Sequence, residues 1–295
     1  MSGDRLRQRL DEGPVLLPGV WDALSATLAA EAGFGGVFVS GYCVSGSLLG
    51  EPDVGLLTQT EMADVARRVC MAQPDLDVVV DADTGYGNAI NVLRTIDLWR
   101  QAGASGVFIE DQVWPKRCGH MSGKQVVDRD DWLAKLRAAV THADGMFVTA
   151  RTDARAVVSI DEAIERGRMA RDIGVDAVFV EAPESIGELE QVATALQGVT
   201  LVANMVEAGR TPLLTPDELA ALGFRLVLSP VSVLFAATRA MRDTLAALRA
   251  SGTLRDRLES LVGFAEFGEI VGLEQRTLDA ARFGVANVSA HTHHE

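Results

Sequence analysis

The chain has 295 residues, 48% of them hydrophobic, and a formal net charge of −14, which suits one large α/β domain or two smaller ones. The acidic balance disfavours nucleic acid and anionic membrane as partners, while a small anion is acceptable wherever local cations gather. No apolar run is long enough to cross a membrane, the opening MSGDRLRQRLDEG lacks a signal-peptide core, and three widely spaced cysteines make no disulfide framework, so a reducing cytoplasm is the expected compartment.

In chain order, the first strand candidate is VLLPG (15–19), followed by the helical DALSATLAAEA and a stop at Gly33. The same plan recurs at AAEAGFGGVFVSG, WRQAGASGVFIED, ARDIGVDAVFVEA and LAALGFRLVLSP: a helical stretch ends at Gly33, Gly103, Gly174 or Gly223, and an apolar β-branched run follows. Glycine suits the left-handed position that stops a helix, and short continuous apolar runs suit strands buried on both faces of a parallel sheet. With LDVVVDAD (76–83), MFVTAR (146–151) and VTLVANM (199–205), eight strands are expected, near 15, 36, 76, 106, 146, 175, 199 and 225. DDWLAKLRAAVTHA, SIDEAIERGRMARDI and TPDELAAL fill gaps between them as helices, several opening on Asp, Ser or Thr at the N-cap.

Eight alternating units predict an α/β fold of the (β/α)8 TIM-barrel type over 1–240, with 241–295 as a C-terminal helical extension of the same domain. The rival, an open doubly wound sheet, lacks its glycine-rich loop after the first strand, since DTGYGNAI has no third glycine and follows the third strand. FAEFGEIVGLE carries apolar residues at helical spacing and is expected to pack on something, such as a neighbouring subunit. The tail SAHTHHE reads as a frayed end rather than a metal site.

On a barrel the active site lies at the C-terminal ends of the strands. Polar residues gather there: Ser40-Gly41-Tyr42, Asp81-Ala82-Asp83, Glu110-Asp111, Arg151-Thr152-Asp153, Glu181 and Asn204, with Glu207 just beyond. Wet strand ends explain one or two acids, but several converging carboxylates repel and call for a cation. Asp81, Asp83 and Glu110, joined by Asp53 from LGEPDVG, are hard oxygen ligands suited to Mg²⁺ or Mn²⁺. Zinc lacks ligands, because Cys118 and His120 alone do not complete a site. Arg151 reads either as a salt-bridge partner or as a bidentate clamp on a substrate carboxylate.

Between Glu110 and the helix near Asp130 lies a loop of about 18 residues containing IEDQVWPKRCGHMSGKQ. Loops of that length in a compact barrel are usually functional, often lids. Cys118 stands beside Lys116, Arg117 and His120, cations that favour thiolate chemistry, whereas Cys70 sits in an apolar ARRVCMAQ and reads as packing. A reagent role is expected for Cys118, as nucleophile or as general acid.

These stretches carry a resemblance. VSGYCVSGSLLGEPDVGLLTQTEM, VDADTGYGN, IEDQVWPKRCGHMSGK, ARTDAR, VEAPES, ANMVEAGRTPLLTPDEL and FAEFGEIVGLE together resemble the phosphoenolpyruvate mutase/isocitrate lyase superfamily. The resemblance implies a Mg²⁺-dependent barrel, homotetrameric, with the helix after the barrel swapped between paired subunits. It implies that Asp53, Asp81, Asp83 and Glu110 hold the metal, largely through water. It also implies that Ser40, Gly41 and Tyr42 bind a keto-acid portion, that Arg151 contacts its oxygens, and that Glu181, Asn204, Thr211 and Pro212 line the far side. Lys116 through His120, Gly119 included, would form a gating loop with Cys118 as its acid. That cysteine loop resembles the carbon–carbon lyases, and the chain looks most similar to the petal death protein and dimethylmalate lyase branch. The NMVEAG and TGYG stretches depart from methylisocitrate lyases.

The expected reaction is a retro-aldol (Claisen-type) cleavage of a 2-hydroxy dicarboxylate, of 2-alkylmalate or methylisocitrate type, into an α-keto acid and a carboxylate. Catalysis would fall to Cys118, His120, Arg151 and Glu181, with Tyr42, Glu181 or a metal-bound water as the base. The alternatives are a phosphonomutase of carboxyphosphonoenolpyruvate or phosphoenolpyruvate type forming a phosphorus–carbon bond, which the chain also resembles, cysteine loop included, an oxaloacetate hydrolase, and a non-catalytic metabolite-binding barrel.

Overall fold

The computed structural model describes residues 2–119 and 123–284. Eight parallel strands close into a barrel in sequence order: β1 (Val15–Val20), β2 (Gly36–Val39), β3 (Asp77–Asp81), β4 (Gly106–Glu110), β5 (Phe147–Thr152), β6 (Ala177–Val180), β7 (Thr200–Asn204) and β8 (Leu226–Ser229). The expected (β/α)8 fold is therefore the observed one. The left-handed glycine stops are present at Gly103, Gly174 and Gly223, where the residue closes a helix with φ of 94°, 94° and 108°.

Alternation along the strands sorts the core into two layers. Leu17, Phe38, Val79, Phe108, Phe147, Phe179, Val202 and Leu226 form one buried cluster, and the opposite side chains pack with the helices in another. Phe108 links Phe38 and Phe179, with ring centroids 5.1 and 5.9 Å away. These rings fill the interior, as in other small barrels, and Phe38 and Phe179 form part of the floor of the cavity above.

The helix Ser2–Glu12 contributes Leu6 and Leu10, one turn apart, to that same cluster. Arg5 Nε and Arg9 Nε donate to the two oxygens of buried Asp77 at 3.1 and 3.0 Å, at the entry of β3. Arg7 Nε meets Asp176 at 2.8 Å. The chain thus closes the end of the barrel opposite the polar rim.

Arg166 braces the rim from the helix Ile160–Ile173. It contacts Asp111 Oδ2 at 3.1 Å and Glu162 Oε1 at 2.8 Å and donates to the Val127 carbonyl at 2.9 Å. Asp111 in turn accepts from the Thr152 hydroxyl at 2.6 Å and the Asp153 amide at 2.8 Å, locking the end of β5 to that of β4. Arg166→Met leaves Asp111 buried without its cation, a loss of about 3–5 kcal/mol. The expected result is a lower urea midpoint with an unchanged slope, and a midpoint equal to wild type would contradict it.

The chain divides into two compact units on either side of Ala236 and Ala237. The second holds most of the helix Ser232–Ser251, a short 3₁₀ turn, and the helices Phe264–Ile270 and Leu273–Arg282. No residue of Ser232–Ser251 is buried, and Leu245, Leu258, Phe264 and Leu278 are exposed. No helix among the described residues is long and apolar enough to cross a membrane.

Candidate active site

The strand ends carry their acids inward because each follows an apolar strand whose alternation places it at the rim. Asp81 ends β3 and Glu110 ends β4, and Asp83 lies two residues past β3 with φ of 46°, a turn in which the Asp83 amide donates to Asp81 Oδ1 at 3.0 Å. Asp53, from the loop after β2, completes the group, and all four are buried. Gly41 makes room for them: a Cβ there would lie 2.9 Å from Asp81 Oδ2.

Lys116 stands among these acids. Its buried ammonium lies 2.6 Å from Asp53 Oδ1 and 2.8 Å from Asp83 Oδ1. Burial acts to lower the lysine pKa, but Asp83 and Asp53 overcome it and hold the ammonium well above the usual value. Burial pushes Asp83 up to about 7 against the pull of Lys116, with Asp81 and Asp53 adding repulsion. Glu110 is also raised well above the usual carboxylate range, first by burial, despite Arg151. One ammonium, with a guanidinium on Glu110 that is shared with other acids, is too little positive charge for four desolvated carboxylates.

Hard carboxylate oxygens in that deficit suit a divalent cation such as Mg²⁺. The Oε1 atom of Glu110 is buried with no hydrogen-bond partner, an available ligand atom. Among the described residues no three ligand-type side chains converge into a preformed cage. A cation held here would need water to complete its coordination, as Mg²⁺ commonly does.

Arg151, in β5, organises the other side. Its Nε lies 3.1 Å from Asp153 Oδ2 and 3.4 Å from Glu110 Oε2, and its Nη2 lies 3.1 Å from Glu181 Oε2. The guanidinium carbon sits 5.3 Å above the centre of the Phe179 ring. Glu181, just past β6, also accepts from its neighbour's amide at 3.0 Å and from Asn204 Nδ2 at 3.3 Å. Asn204 Oδ1 is buried and unpartnered.

A cavity of about 210 Å³ opens between these groups, lined by Ser40, Tyr42, Asp53, Asp81, Cys118, Gly119, Arg151, Glu181 and Asn204. Its remaining wall is largely apolar and comes from Val206, Ala208, Leu228, Val231 and Phe235, beside Phe38 and Phe179. Tyr42 stacks edge-on with Phe235 at 6.0 Å. Burial raises the Tyr42 phenol, with Cys118 and Asp53 adding to it, so it makes a poor base at neutral pH.

The cysteine loop is strapped over this cavity. The Cys118 amide donates to the Asp53 carbonyl at 3.1 Å, and Gln112 holds Arg117 by a pair of bonds, at 2.8 and 2.9 Å. Cys43 and Cys70 are buried and Cys118 is partly exposed, with no disulfide among them. Burial pushes Cys43 up to about 12 and Cys70 up to about 11. At pH 8, iodoacetamide is therefore expected to label Cys118 at least roughly 100-fold faster than the other two, by peptide mass spectrometry. Comparable labelling of Cys43 in folded protein would contradict this geometry.

The structure brings together most of the residues expected from sequence. Asp83, Glu110 and Lys116 stand behind the cavity wall rather than on it, in contact with groups that line it. Thr211 and Pro212 fall on the segment between β7 and the helix Pro216–Leu222 and do not line the cavity. His120 lies outside the described residues. Sequence reading missed Lys124 and Asp153 as a pair, and the apolar wall of Val231 and Phe235. The only sequence signal for that wall is the apolar SPVSVLF after β8.

A phosphoenolpyruvate phosphomutase family profile matches residues 6–249, most of the chain. The chain belongs to the phosphoenolpyruvate mutase/isocitrate lyase superfamily. It is thus an enzyme of a superfamily with lyase and mutase chemistry. It is 46% identical to the chloroplastic carboxyvinyl-carboxyphosphonate phosphorylmutase of Arabidopsis thaliana, over 90% of this chain and 79% of that one. It is 44% identical to the 2,3-dimethylmalate lyase of Eubacterium barkeri, over 88% of this chain and 90% of that one. The solved phosphonopyruvate hydrolase in complex with oxalate and Mg²⁺ superposes with a TM-score of 0.86 at 29% identity, over 96% of this chain and 99% of that one.

Proposed function

We propose that this enzyme is a Mg²⁺-dependent carbon–carbon lyase that cleaves a 2-hydroxy dicarboxylate bearing an alkyl substituent, with Cys118 as general acid. The observation that carries this reading is the placement of a partly exposed thiol on the same cavity as Arg151, Asp81 and an apolar wall. An alkylmalate has a use for both a thiol acid and an apolar wall. The similarity to a 2,3-dimethylmalate lyase supports the same substrate class.

Asp53, Asp81, Asp83 and Glu110 would hold the metal, mostly through water, and Mn²⁺ could replace Mg²⁺. A metal held there would supply Lewis acidity that lowers the pKa of the substrate's 2-hydroxyl. Arg151 would meet the substrate's oxygens, exchanging part of its contact with Glu181 and Glu110 for them. Ser40, Gly41 and Tyr42 would orient the keto-acid portion, while Val231 and Phe235 take the alkyl group. As the 2-hydroxyl proton leaves, with Glu181 in reach of Arg151 and Asn204 as a candidate acceptor, the O–H electrons form the C2 carbonyl. The C2–C3 pair passes to the carbon bearing the second carboxylate. Cys118 protonates that carbon, and His120 and Asn204 stabilise the developing charge.

The decisive assay is product analysis by mass spectrometry with 2,3-dimethylmalate, 2-methylisocitrate and oxaloacetate in the presence of Mg²⁺. The lyase reading expects a keto acid and a carboxylate in equal amounts from at least one of the first two. Turnover of oxaloacetate alone would favour a hydrolase. No cleavage, with rearrangement of a phosphoenolpyruvate-type compound seen by ³¹P NMR, would favour the mutase. The exposed apolar side chains of the second unit support a homotetramer with exchanged C-terminal helices; light scattering that gives a monomer mass would exclude it.

A further inference from the structure

We propose that Lys124 is a positioning residue for Cys118: its buried ammonium ties the Gly119 carbonyl to Asp153 and so holds the cysteine loop against the Arg151–Glu181 end of the cavity. The inference rests on the reading of Cys118 as the acid.

Lysine is almost never fully buried unless paired, and the Lys124 side chain is only 2% exposed. Its Nζ donates to Asp153 Oδ1 at 2.6 Å and to the Gly119 carbonyl. Gly119 follows Cys118 directly, so the bond fixes the residue next to the thiol. That residue is pressed close: a Cβ at Gly119 would lie 2.5 Å from Glu181 Oε2 and 2.6 Å from Arg151 Nη2.

Three straps therefore hold consecutive residues of the loop. Gln112 holds Arg117, the Asp53 carbonyl holds Cys118, and Lys124 holds Gly119. Of the three, the Lys124 strap is the ionic one. Its acceptor, Asp153, is shared with Arg151, which reaches both carboxylate oxygens at 3.1 and 3.3 Å. Asp153 is in turn fixed by its amide on Asp111 at 2.8 Å. Burial acts to raise the Asp153 pKa, but Arg151 and Lys124 outweigh it and keep the carboxylate charged. The guanidinium and the ammonium that holds Gly119 thus share one carboxylate, and a shift in either is felt by the other.

A purely structural lysine would lower stability and leave loop and chemistry otherwise alike. Removing a strap on Gly119 instead releases the loop while Asp153 keeps Arg151 as partner. The test is full-length Lys124→Met, read first by the iodoacetamide labelling rate of Cys118 in folded protein, a measurement that needs no substrate. The expected result is labelling faster by roughly tenfold, as the thiol leaves its partly covered position. With any substrate the wild type cleaves, kcat should fall about 100-fold with KM changed less than about threefold, the signature of a misplaced group rather than lost binding. If Lys124→Met does not fold, Lys124→Gln carries the same two measurements. A Cys118 labelling rate equal to wild type in a folded variant overturns the proposal. A changed labelling rate in a protein whose wild type cleaves no 2-hydroxy dicarboxylate leaves the strap standing and removes the lyase reading.

Discussion

Cys118→Ser is expected to lower kcat for carbon–carbon cleavage by about 10²–10⁴-fold, the range for loss of a positioned general acid. Serine keeps the shape of the side chain and its place on the cavity, but an alcohol is a far weaker acid than a thiol. KM should move little, because binding falls to Arg151, the rim and the apolar wall rather than to the sulfur. Stability should also hold, since the Cys118 strap to Asp53 runs through the backbone amide and survives the change. Steady-state kinetics on 2,3-dimethylmalate would decide this. A kcat within twofold of wild type would remove Cys118 from the chemistry.

Arg151→Met is expected to abolish detectable turnover and to cost about 3–5 kcal/mol of stability, the usual loss when a buried ion pair is broken from one side. The reason is local charge. Arg151 faces Glu110, Asp153 and Glu181 together, all buried, and its loss leaves Lys124 on Asp153 but takes the guanidinium away from Glu110 and Glu181. Arg151→Lys should recover part of the stability and little of the activity, since one ammonium cannot span the acids that a planar guanidinium reaches. Adding Glu110→Gln to Arg151→Met should restore some stability, because it removes a carboxylate that the arginine neutralised. Urea unfolding of the single and double variants reads both effects. If Arg151→Met unfolds at the wild-type midpoint, the arginine is not the counterion the geometry makes it.

Much of this was legible in the chain. A buried parallel strand leaves a short apolar run, and a helix stop leaves a glycine, so the eight units stood out. The rim acids stood out as well, because each ends such a run: Asp81 after VVV, Glu110 after VFI. What could not be read was which partners meet across the barrel. Lys116 and Asp53 are 63 positions apart, yet their charges touch at 2.6 Å. Nothing in PKRCGH says that its lysine will stand among the acids, because loop geometry rather than periodicity puts it there. Lys124 was missed for the same reason. Its neighbours suggest an exposed loop lysine, and only the fold shows it buried on Asp153. The plug helix carried a readable signal in Leu6 and Leu10, at helical spacing, but a pattern of two apolar residues among charges does not say which end of a barrel it covers. Thr211 and Pro212 followed from resemblance alone, and this structure sets them off the cavity.

The central claim is that Cys118 delivers a proton to a carbon released by C–C cleavage, and isotope placement tests it most directly. Cleavage of 2,3-dimethylmalate in ²H₂O should give pyruvate and propionate that carries one deuterium at C2, in a single configuration, because a fixed thiol can reach only one face of the enolate. Racemic deuterated propionate from wild type, or the same rate and configuration from Cys118→Ser, would contradict the account.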